Sequence, residues 1–218
     1  VAPHISGAVL DRNQMDTALS GYFDAGMRRL VVLRGDIPSG IPSTTDFRYA
    51  SELVKFVKDK YEETFFIDVA AYPEVHTEAK SSKEDLVNFK RKVDAGANGA
   101  ITQYFFNCDA YFRFVNDCHK VGADIPIIAG LIPITEAVGL IRFSEKCGAE
   151  IPRWVLKRLV DYADDPRSLE SFGIDVLCRI CSRLFEERAP GLHFFTLNKI
   201  KPVSQICLNL GLGQAIMD

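Results

Sequence analysis

The sequence predicts an α/β fold of the (β/α)8 TIM-barrel type, with about six of the eight strands present in this chain. Four short apolar runs, rich in β-branched and aromatic residues, each end in polar residues and precede a helical pattern. This alternation is typical of buried parallel strands in βα units. The carboxyl ends of such strands meet on one face of a barrel, where active sites of this fold lie. The four runs begin at Arg29, Phe65, Ala100 and Leu192.

Strand and helix patterns alternate along the whole chain, which predicts a parallel sheet with right-handed crossovers. Short β-branched or aromatic runs mark the strands, and longer segments with apolar residues three or four positions apart mark the helices. Strands are predicted at 2–8, 29–34, 64–71, 100–106, 125–132 and 192–197. Helices are predicted at 14–25, 49–60, 83–95, 109–121, 136–147, 152–163, 169–187 and 202–210.

We expect one domain over residues 1–218. Pro, Ser and Gly cluster only at 37–45, between a strand and a helix, so this segment is predicted to be a βα loop rather than a linker. Six strands are fewer than the eight that close the common barrel, which typically needs about 250 residues.

Composition limits the class of protein. The 218 residues are 47% hydrophobic and 25% charged, as in ordinary globular chains. A net charge of −3 and a pI near 5.9 argue against a nucleic-acid or anionic-membrane partner. We see no membrane span and no signal peptide. The six cysteines are scattered, which favours reduced, buried thiols in a cytoplasmic protein over a disulfide framework.

No metal site is predicted. Cys178 and Cys181 form a C-x-x-C inside a helical pattern, without a second pair or a nearby His. His76 with Glu74 or Glu78 is a conceivable ligand set, but no other His lies at ligand spacing. A large organic ligand is the better interpretation of these residues.

Two strand ends carry the first candidate residues. Gly35, directly after a strand, lets the backbone approach a ligand closely, and Asp36 then lies at the barrel mouth. The alternative is an exposed Arg34–Asp36 ion pair, which is common and contributes little. At the next strand end, Ala70 leaves room for a flat ligand, and Tyr72 offers a stacking face and a hydroxyl.

The predicted helix after residue 82 repeats polar residues on one face. Asp85, Asn88 and Lys92 lie at positions i, i+3 and i+7, with Arg91 beside them. A carboxylate, an amide and two cations suit a ribose hydroxyl and a phosphate. Periodicity alone favours the alternative of an ordinary solvated helix face.

Three further residues depend on their surroundings. Gln103 is the single amide in the apolar run 100–106, and a buried amide must be hydrogen-bonded, so it is placed to read the edge of a heterocycle. Phe143 lies in a helical pattern and would by itself be assigned to the core. His193 begins a strand and is more often a core histidine than a ligand.

Taken together, these motifs closely resemble those of bacterial methylenetetrahydrofolate reductases. The likeness runs in the family's order from Ala2 to about Leu210, and its long central run is highly specific. The matching segments are APHIS, LRGD, YASELV, VAAYPEVHTEAKSSKEDLVNFKRKVDAGANGAITQYFFN, PIIAGLIPI, EIPRW and LHFFTLN.

The resemblance implies a flavoprotein that uses FAD to pass a hydride from NADH or NADPH to 5,10-methylenetetrahydrofolate. The product is 5-methyltetrahydrofolate, and the two substrates use one site in turn, in ping-pong order. Such an enzyme is expected to be a cytoplasmic homo-oligomer.

The resemblance also assigns roles by position. Asp36 and Gln103 are the catalytic residues it implies, and the carboxylate of Asp36 tunes the electron affinity of the flavin. Gln103, Phe143 and Leu197 are implied to contact the substrate. The residues implied to bind FAD are His4, Leu33, Arg34, Gly35, Asp36, Tyr49, Ala50, Ala70, Tyr72, His76, Asp85, Asn88, Arg91 and Lys92.

One departure from the family pattern is expected to matter. The family begins with two further βα units, which carry a Glu that helps protonate the folate and a Thr that contacts the flavin, and this chain begins at the third unit. We therefore expect an incomplete record of a longer enzyme, or closure of the sheet by a partner. Two alternatives stay open: a non-catalytic flavin- or folate-binding remnant, and a barrel enzyme with a phosphorylated substrate and no flavin.

Overall fold

The computed structural model describes residues 1–8, 10–36 and 46–212, so the loop predicted at 37–45 lies outside the described residues. The strands are β1 (His4–Ser6), β2 (Arg29–Leu33), β3 (Phe66–Ala71), β4 (Gly99–Thr102), β5 (Ile127–Leu131) and β6 (Leu192–Phe194). The helices are α1 (Arg12–Asp24), α2 (Ala50–Tyr61), α3 (Ser82–Asp94), α4 (Cys108–Lys120), α5 (Ala137–Cys147), α6 (Arg153–Asp161), α7 (Pro166–Glu186) and α8 (Ile200–Asn209).

The strands form a sheet in chain order, from β1 to β6. The β1–β2, β2–β3 and β5–β6 pairs are parallel. A helix follows each of the six described strands, and three helices, α5, α6 and α7, lie between β5 and β6. The predicted fold class is therefore confirmed.

Two strands, β4 and β6, end three or more residues earlier than predicted, for local reasons. After β4, the side-chain Oε1 of Gln103 accepts the backbone N–H of Tyr104 at 3.1 Å, which diverts that donor from the strand ladder. After β6, Leu197 and Asn198 have φ values of 48° and 61°. These left-handed conformations are incompatible with an extended strand.

Side-chain caps fix where several helices begin. Asp11 and Gln14 form a reciprocal capping box at α1, each side chain accepting the other's backbone N–H. Asp165 caps α7, and Pro166 occupies the first turn, where a missing N–H costs nothing. Gly148 ends α5 in the left-handed conformation, with φ of 71°.

The chain divides into two compact units. Unit 1 comprises residues 1–71, 86–101 and 118–126, and unit 2 comprises residues 72–85, 102–117 and 127–218. In unit 1 the buried side chains come mainly from β2, β3, α1 and α2, and in unit 2 from β5, α6, α7 and the segment after β4. The single domain expected over residues 1–218 stays a prediction.

Three features of the described residues concern disulfide bonds, metal sites and membrane spans. None of the six cysteines, all of which lie among the described residues, is in a disulfide bond. Cys178 and Cys181 lie within α7. Among residues 1–8, 10–36 and 46–212, no three His, Cys, Asp or Glu side chains are grouped to hold a metal ion. Over the same ranges, no helix combines the length and hydropathy that crossing a bilayer requires.

A half-buried ion pair joins β2 and β3. The Asp68 side chain is 1% exposed, and its carboxylate accepts Arg29 Nε at 2.6 Å and Nη2 at 3.1 Å. The guanidinium also lies 4.5 Å from the ring centroid of Phe66. A bidentate partner of this kind is what allows a strand to bury a carboxylate.

Replacing Arg29 with methionine retains an unbranched side chain beside Phe66 but leaves the Asp68 carboxylate without its cation. We expect the free energy of unfolding to fall by about 3 kcal/mol, near the lower end for a broken buried pair because Arg29 is partly exposed. Urea denaturation at pH 7 measures this change. The control is Lys55→Met, which breaks the exposed Lys55–Asp59 pair and should cost less than about 1 kcal/mol. Equal losses in the two variants would contradict the role given to Asp68.

Candidate functional site

In unit 1, three of the predicted FAD residues lie on one face of the sheet. His4 is in register with Val31, and Val31 with Asp68, so their side chains leave the same face. The register continues to place Leu33 beside Ala70. The opposite face of β2 and β3 is fully buried, at residues 30, 32, 67 and 69. The structure thus brings His4, Leu33 and Ala70 onto one surface.

The turn after β2 packs against β1 rather than standing free. Gly35 has φ of 81°, and a Cβ at this position would overlap the Ser6 hydroxyl. That hydroxyl donates to the Arg34 carbonyl at 3.0 Å. The close approach that the glycine permits is therefore to Ser6, and it leaves Asp36 exposed at the strand end.

Tyr49 and Ala50 stand at the beginning of α2. Glu52 accepts the backbone N–H of Tyr49 at 3.2 Å and so fixes this end of the helix. The Tyr49 side chain is exposed, with the Arg48 guanidinium 5.3 Å from its ring centroid. An exposed aromatic face beside a cation suits a planar or anionic ligand.

The polar face of α3 is more ordered than a solvated helix face. Lys92 Nζ donates to the Ala70 carbonyl at 2.6 Å, and Arg91 donates to Asn88 Oδ1 at 2.9 Å. Asp85 is 8% exposed and accepts the His76 backbone N–H at 2.9 Å. The solvated face favoured by periodicity is therefore wrong for Asp85 and Lys92, whose partners lie outside the helix and are invisible to helical periodicity.

In unit 2, the segment after β3 holds Tyr72 and His76 in contact. Their rings meet edge to face with centroids 4.5 Å apart. The Glu78 N–H donates to His76 Nδ1 at 3.0 Å, so the neutral imidazole carries its proton on Nε2. Val75 has φ of 74°, a strained conformation for a β-branched residue. In this arrangement the neutral His76 ring presents its Nε2–H as a donor.

Glu74 is a residue whose importance the sequence reasoning missed. Its Oε2 accepts the Glu150 backbone N–H at 2.8 Å, while Oε1 is buried without a hydrogen-bond partner among the described residues. Burial raises the pKa of Glu74 to about 7, opposed by the hydrogen bond from Glu150 and reinforced by the Glu150 carboxylate. The position of Glu74 in the Tyr-Pro-Glu-Val-His motif could have marked it as a candidate. Its hydrogen-bond partner is 76 residues away, and the sequence pattern gives no sign of that contact.

Two of the three predicted substrate residues, Gln103 and Phe143, contact Tyr104 in unit 2. Phe143 is 38% exposed, so its assignment to the core from pattern alone is corrected. Its ring stacks on Tyr104 with centroids 5.7 Å apart and planes at 22°. Gln103 directly precedes Tyr104 and is half-buried. Leu197 is exposed two residues beyond Phe195, whose ring contacts Tyr104 edge-on at 6.3 Å.

The comparisons with known proteins decide the family. The methylenetetrahydrofolate reductase family model matches residues 1–211. The 5,10-methylenetetrahydrofolate reductase of Escherichia coli K12 is 38% identical over 211 residues, which is 97% of this chain and 70% of the relative. The chain belongs to the methylenetetrahydrofolate reductase family. It is therefore an oxidoreductase of that family, as the resemblance implied.

More distant relatives agree. Methylenetetrahydrofolate reductase (NADH) 1 of Arabidopsis thaliana is 32% identical over 222 residues, covering 96% of this chain and 38% of the plant protein. A solved Clostridium thermocellum protein, described as binding two copies of 5-methyl-5,6,7,8-tetrahydrofolic acid, superposes with a TM-score of 0.55. It covers 99% of this chain and 95% of its own at 15% identity, and so supports the fold alone.

Glu74 makes a pH-dependent contribution to stability. With a pKa raised from 4.5 to about 7, the folded protein binds a proton that the unfolded chain has released. This contribution is complete below about pH 4.5 and is lost as the pH rises through about 7. Glu74→Gln removes this ionisation. Between pH 5 and pH 8, the free energy of unfolding should therefore fall by about 1–2 kcal/mol less in the variant than in the unsubstituted protein, after allowance for the partial exposure of Glu74.

Urea titrations of both proteins at the two pH values measure this difference. The control is Glu145→Gln, which removes an exposed carboxylate from α5 and should leave the pH dependence unchanged. An unaltered difference between pH 5 and pH 8 in Glu74→Gln would show that Glu74 ionises as freely in the folded chain as in the unfolded one.

Proposed function

We propose that this chain binds FAD and reduces 5,10-methylenetetrahydrofolate to 5-methyltetrahydrofolate with NADH or NADPH, in ping-pong order. The family match over residues 1–211 carries the proposal. NADH is the favoured donor, because plant relatives from rice and Arabidopsis carry NADH in their names. The six cysteine side chains, none of which is in a disulfide bond, support a cytoplasmic enzyme. A homo-oligomer stays a prediction.

The residues predicted to hold FAD fit its chemistry. Arg91 and Lys92 place two cations at the end of α3, which suits a diphosphate. Asn88 and Asp85 lie on the same helix, and the second carboxylate oxygen of Asp85 can accept a ribose hydroxyl while the first holds the His76 N–H. Ala70 adds no bulk at the end of β3, where a flat ring needs room.

When bound, FAD supplies the hydride relay between the nicotinamide and the folate. The protein's contribution is to bind and orient. The exposed Asp36 carboxylate provides a negative charge after β2, where the resemblance assigns the flavin ring. Phe143 offers one ring face for stacking, since Tyr104 covers the other. The Gln103 amide, whose Oε1 holds the Tyr104 N–H, presents its NH2 group for a hydrogen bond to a pterin.

Unit 2 also contains a cavity of about 370 Å³, and it is not the site we propose. It is lined by aromatic, acidic and basic residues, among them Glu150, Trp154, Arg179 and Arg183, and by none of the predicted site residues. Arg183 is already paired with Asp109. The Glu150 carboxylate would repel an anionic ligand there.

The proposal is tested by the colour and the half-reactions of the purified chain. We expect bound flavin with an absorbance band in the visible, anaerobic bleaching by NADH, and recovery of the band on adding methylenetetrahydrofolate. Stopped-flow absorbance follows both steps. A colourless protein that takes up no added FAD would overturn the flavoprotein assignment. Bleaching without any reoxidation by the folate would favour the catalytically impaired remnant instead.

Replacing Asp36 with asparagine should raise the midpoint potential of the bound flavin, because a negative charge beside the ring opposes the uptake of electrons. We expect a rise of about 30 mV, equivalent to about 1.4 kcal/mol for a two-electron couple. Anaerobic dye-linked redox titration gives the value. Asp24→Asn removes the same charge from the end of α1, outside the predicted set, and should leave the potential unchanged. An unchanged or lower potential in Asp36→Asn would argue against its placement.

A further inference from the structure

A buried hydrogen bond links the positions that follow two predicted folate contacts. Tyr104 comes directly after Gln103, and Ser144 directly after Phe143. The Tyr104 and Ser144 hydroxyl oxygens are 3.0 Å apart, and both residues are at most 2% exposed. The bond therefore joins two segments that are 40 residues apart in the chain.

The Tyr104 ring is fixed on several sides. It stacks on Phe143, and the rings of Phe106 and Phe195 meet it edge-on with centroids 6.2 and 6.3 Å away. Its backbone N–H is held by the Gln103 side chain. A movement of Tyr104 would consequently shift both the amide of Gln103 and the ring of Phe143.

We propose that the Tyr104–Ser144 hydroxyl pair is a positioning device that sets the spacing of Gln103 and Phe143, and thereby the affinity for the pterin ring. This inference rests on the folate residues named in the proposed function. A flat heterocycle needs an edge contact and a face contact at a fixed separation. Neither Gln103 at a strand end nor the part-exposed Phe143 on α5 secures that separation by itself.

The hydroxyl pair stays neutral between pH 6 and pH 9. Burial raises the pKa of Tyr104 to about 12, partly offset by the hydrogen bond with Ser144 and assisted by Cys147 and Glu74. The phenol thus keeps its proton, and the effect of removing either hydroxyl should not change between pH 6 and pH 9.

Titration calorimetry of the holoenzyme with 5-methyltetrahydrofolate tests the proposal. Tyr104→Phe retains the stacked ring and removes only the hydroxyl, so the dissociation constant should rise about 5-fold. Ser144→Ala should give a similar rise, and the double variant should be no weaker than the singles because the same bond is lost. Ser144→Thr retains a hydroxyl and should restore most of the affinity.

The control is Tyr111→Phe. Tyr111 is another buried tyrosine of unit 2, but its hydroxyl donates to the Ile127 carbonyl at 2.6 Å and is not joined to Gln103 or Phe143. Its loss should lower the melting temperature and leave folate affinity unchanged. If Tyr104→Phe behaves like this control, or if the two hydroxyl deletions add, the hydroxyl pair has a structural role only and the inference is overturned.

A further variant separates this inference from the proposed function. Phe143→Ala should weaken folate binding by more than either hydroxyl deletion. If Phe143→Ala weakens folate binding and Tyr104→Phe does not, the proposed folate site is supported and the positioning role of the hydroxyl pair is overturned. If Phe143→Ala leaves the affinity unchanged, the assigned folate residues are wrong and the positioning role falls with them.

Discussion

The ion pair between Arg29 and Asp68 ties the register of β2 and β3, and the predicted cofactor surface of unit 1 depends on that register. A slip of one residue would turn Asp68 to the opposite face of the sheet. A slip of two would keep the face but carry the carboxylate about 7 Å along the strand, beyond the reach of a bidentate contact. Either slip buries an unpaired charge, which is expensive. The alignment of Leu33 with Ala70 is therefore fixed from the far end of the strands.

The order and type of the elements could be predicted from sequence because each depends on nearby residues. Apolar runs followed by helical patterns gave six strands in the correct order, and most helix ends fell within a few residues of the prediction. The errors occurred where a side chain ended an element locally. Gln103 takes the backbone donor that would have extended β4, and Leu197 turns the chain after β6. Apolar periodicity carries no information about either event.

The site could be predicted only in part, because its residues are defined by partners that are remote in sequence. Lys92 is anchored by the Ala70 carbonyl and Asp85 by the His76 N–H, and helical spacing alone pointed to a solvated face instead. The resemblance to a known family predicted instead that both residues bind FAD. It did not supply Tyr104 or Glu74, whose significance lies in hydrogen bonds to residues 40 and 76 positions away.

The segment from Tyr72 to Ala79, which contains two of the predicted FAD residues, shows how such contacts hold a loop in a strained backbone conformation. Val75 adopts a backbone conformation that costs a β-branched residue of order 1–3 kcal/mol, and the half-buried Glu74 has one buried oxygen without a hydrogen-bond partner among the described residues. Two side-chain-to-backbone hydrogen bonds oppose these costs, from the His76 N–H to Asp85 and from the Glu150 N–H to Glu74. The bond to Asp85 is charge-assisted, and bonds of that kind contribute about 1.5–3 kcal/mol, which is comparable to the cost of the strained backbone. The loop can therefore keep the His76 ring oriented before a ligand arrives, and binding then has less conformational entropy to overcome.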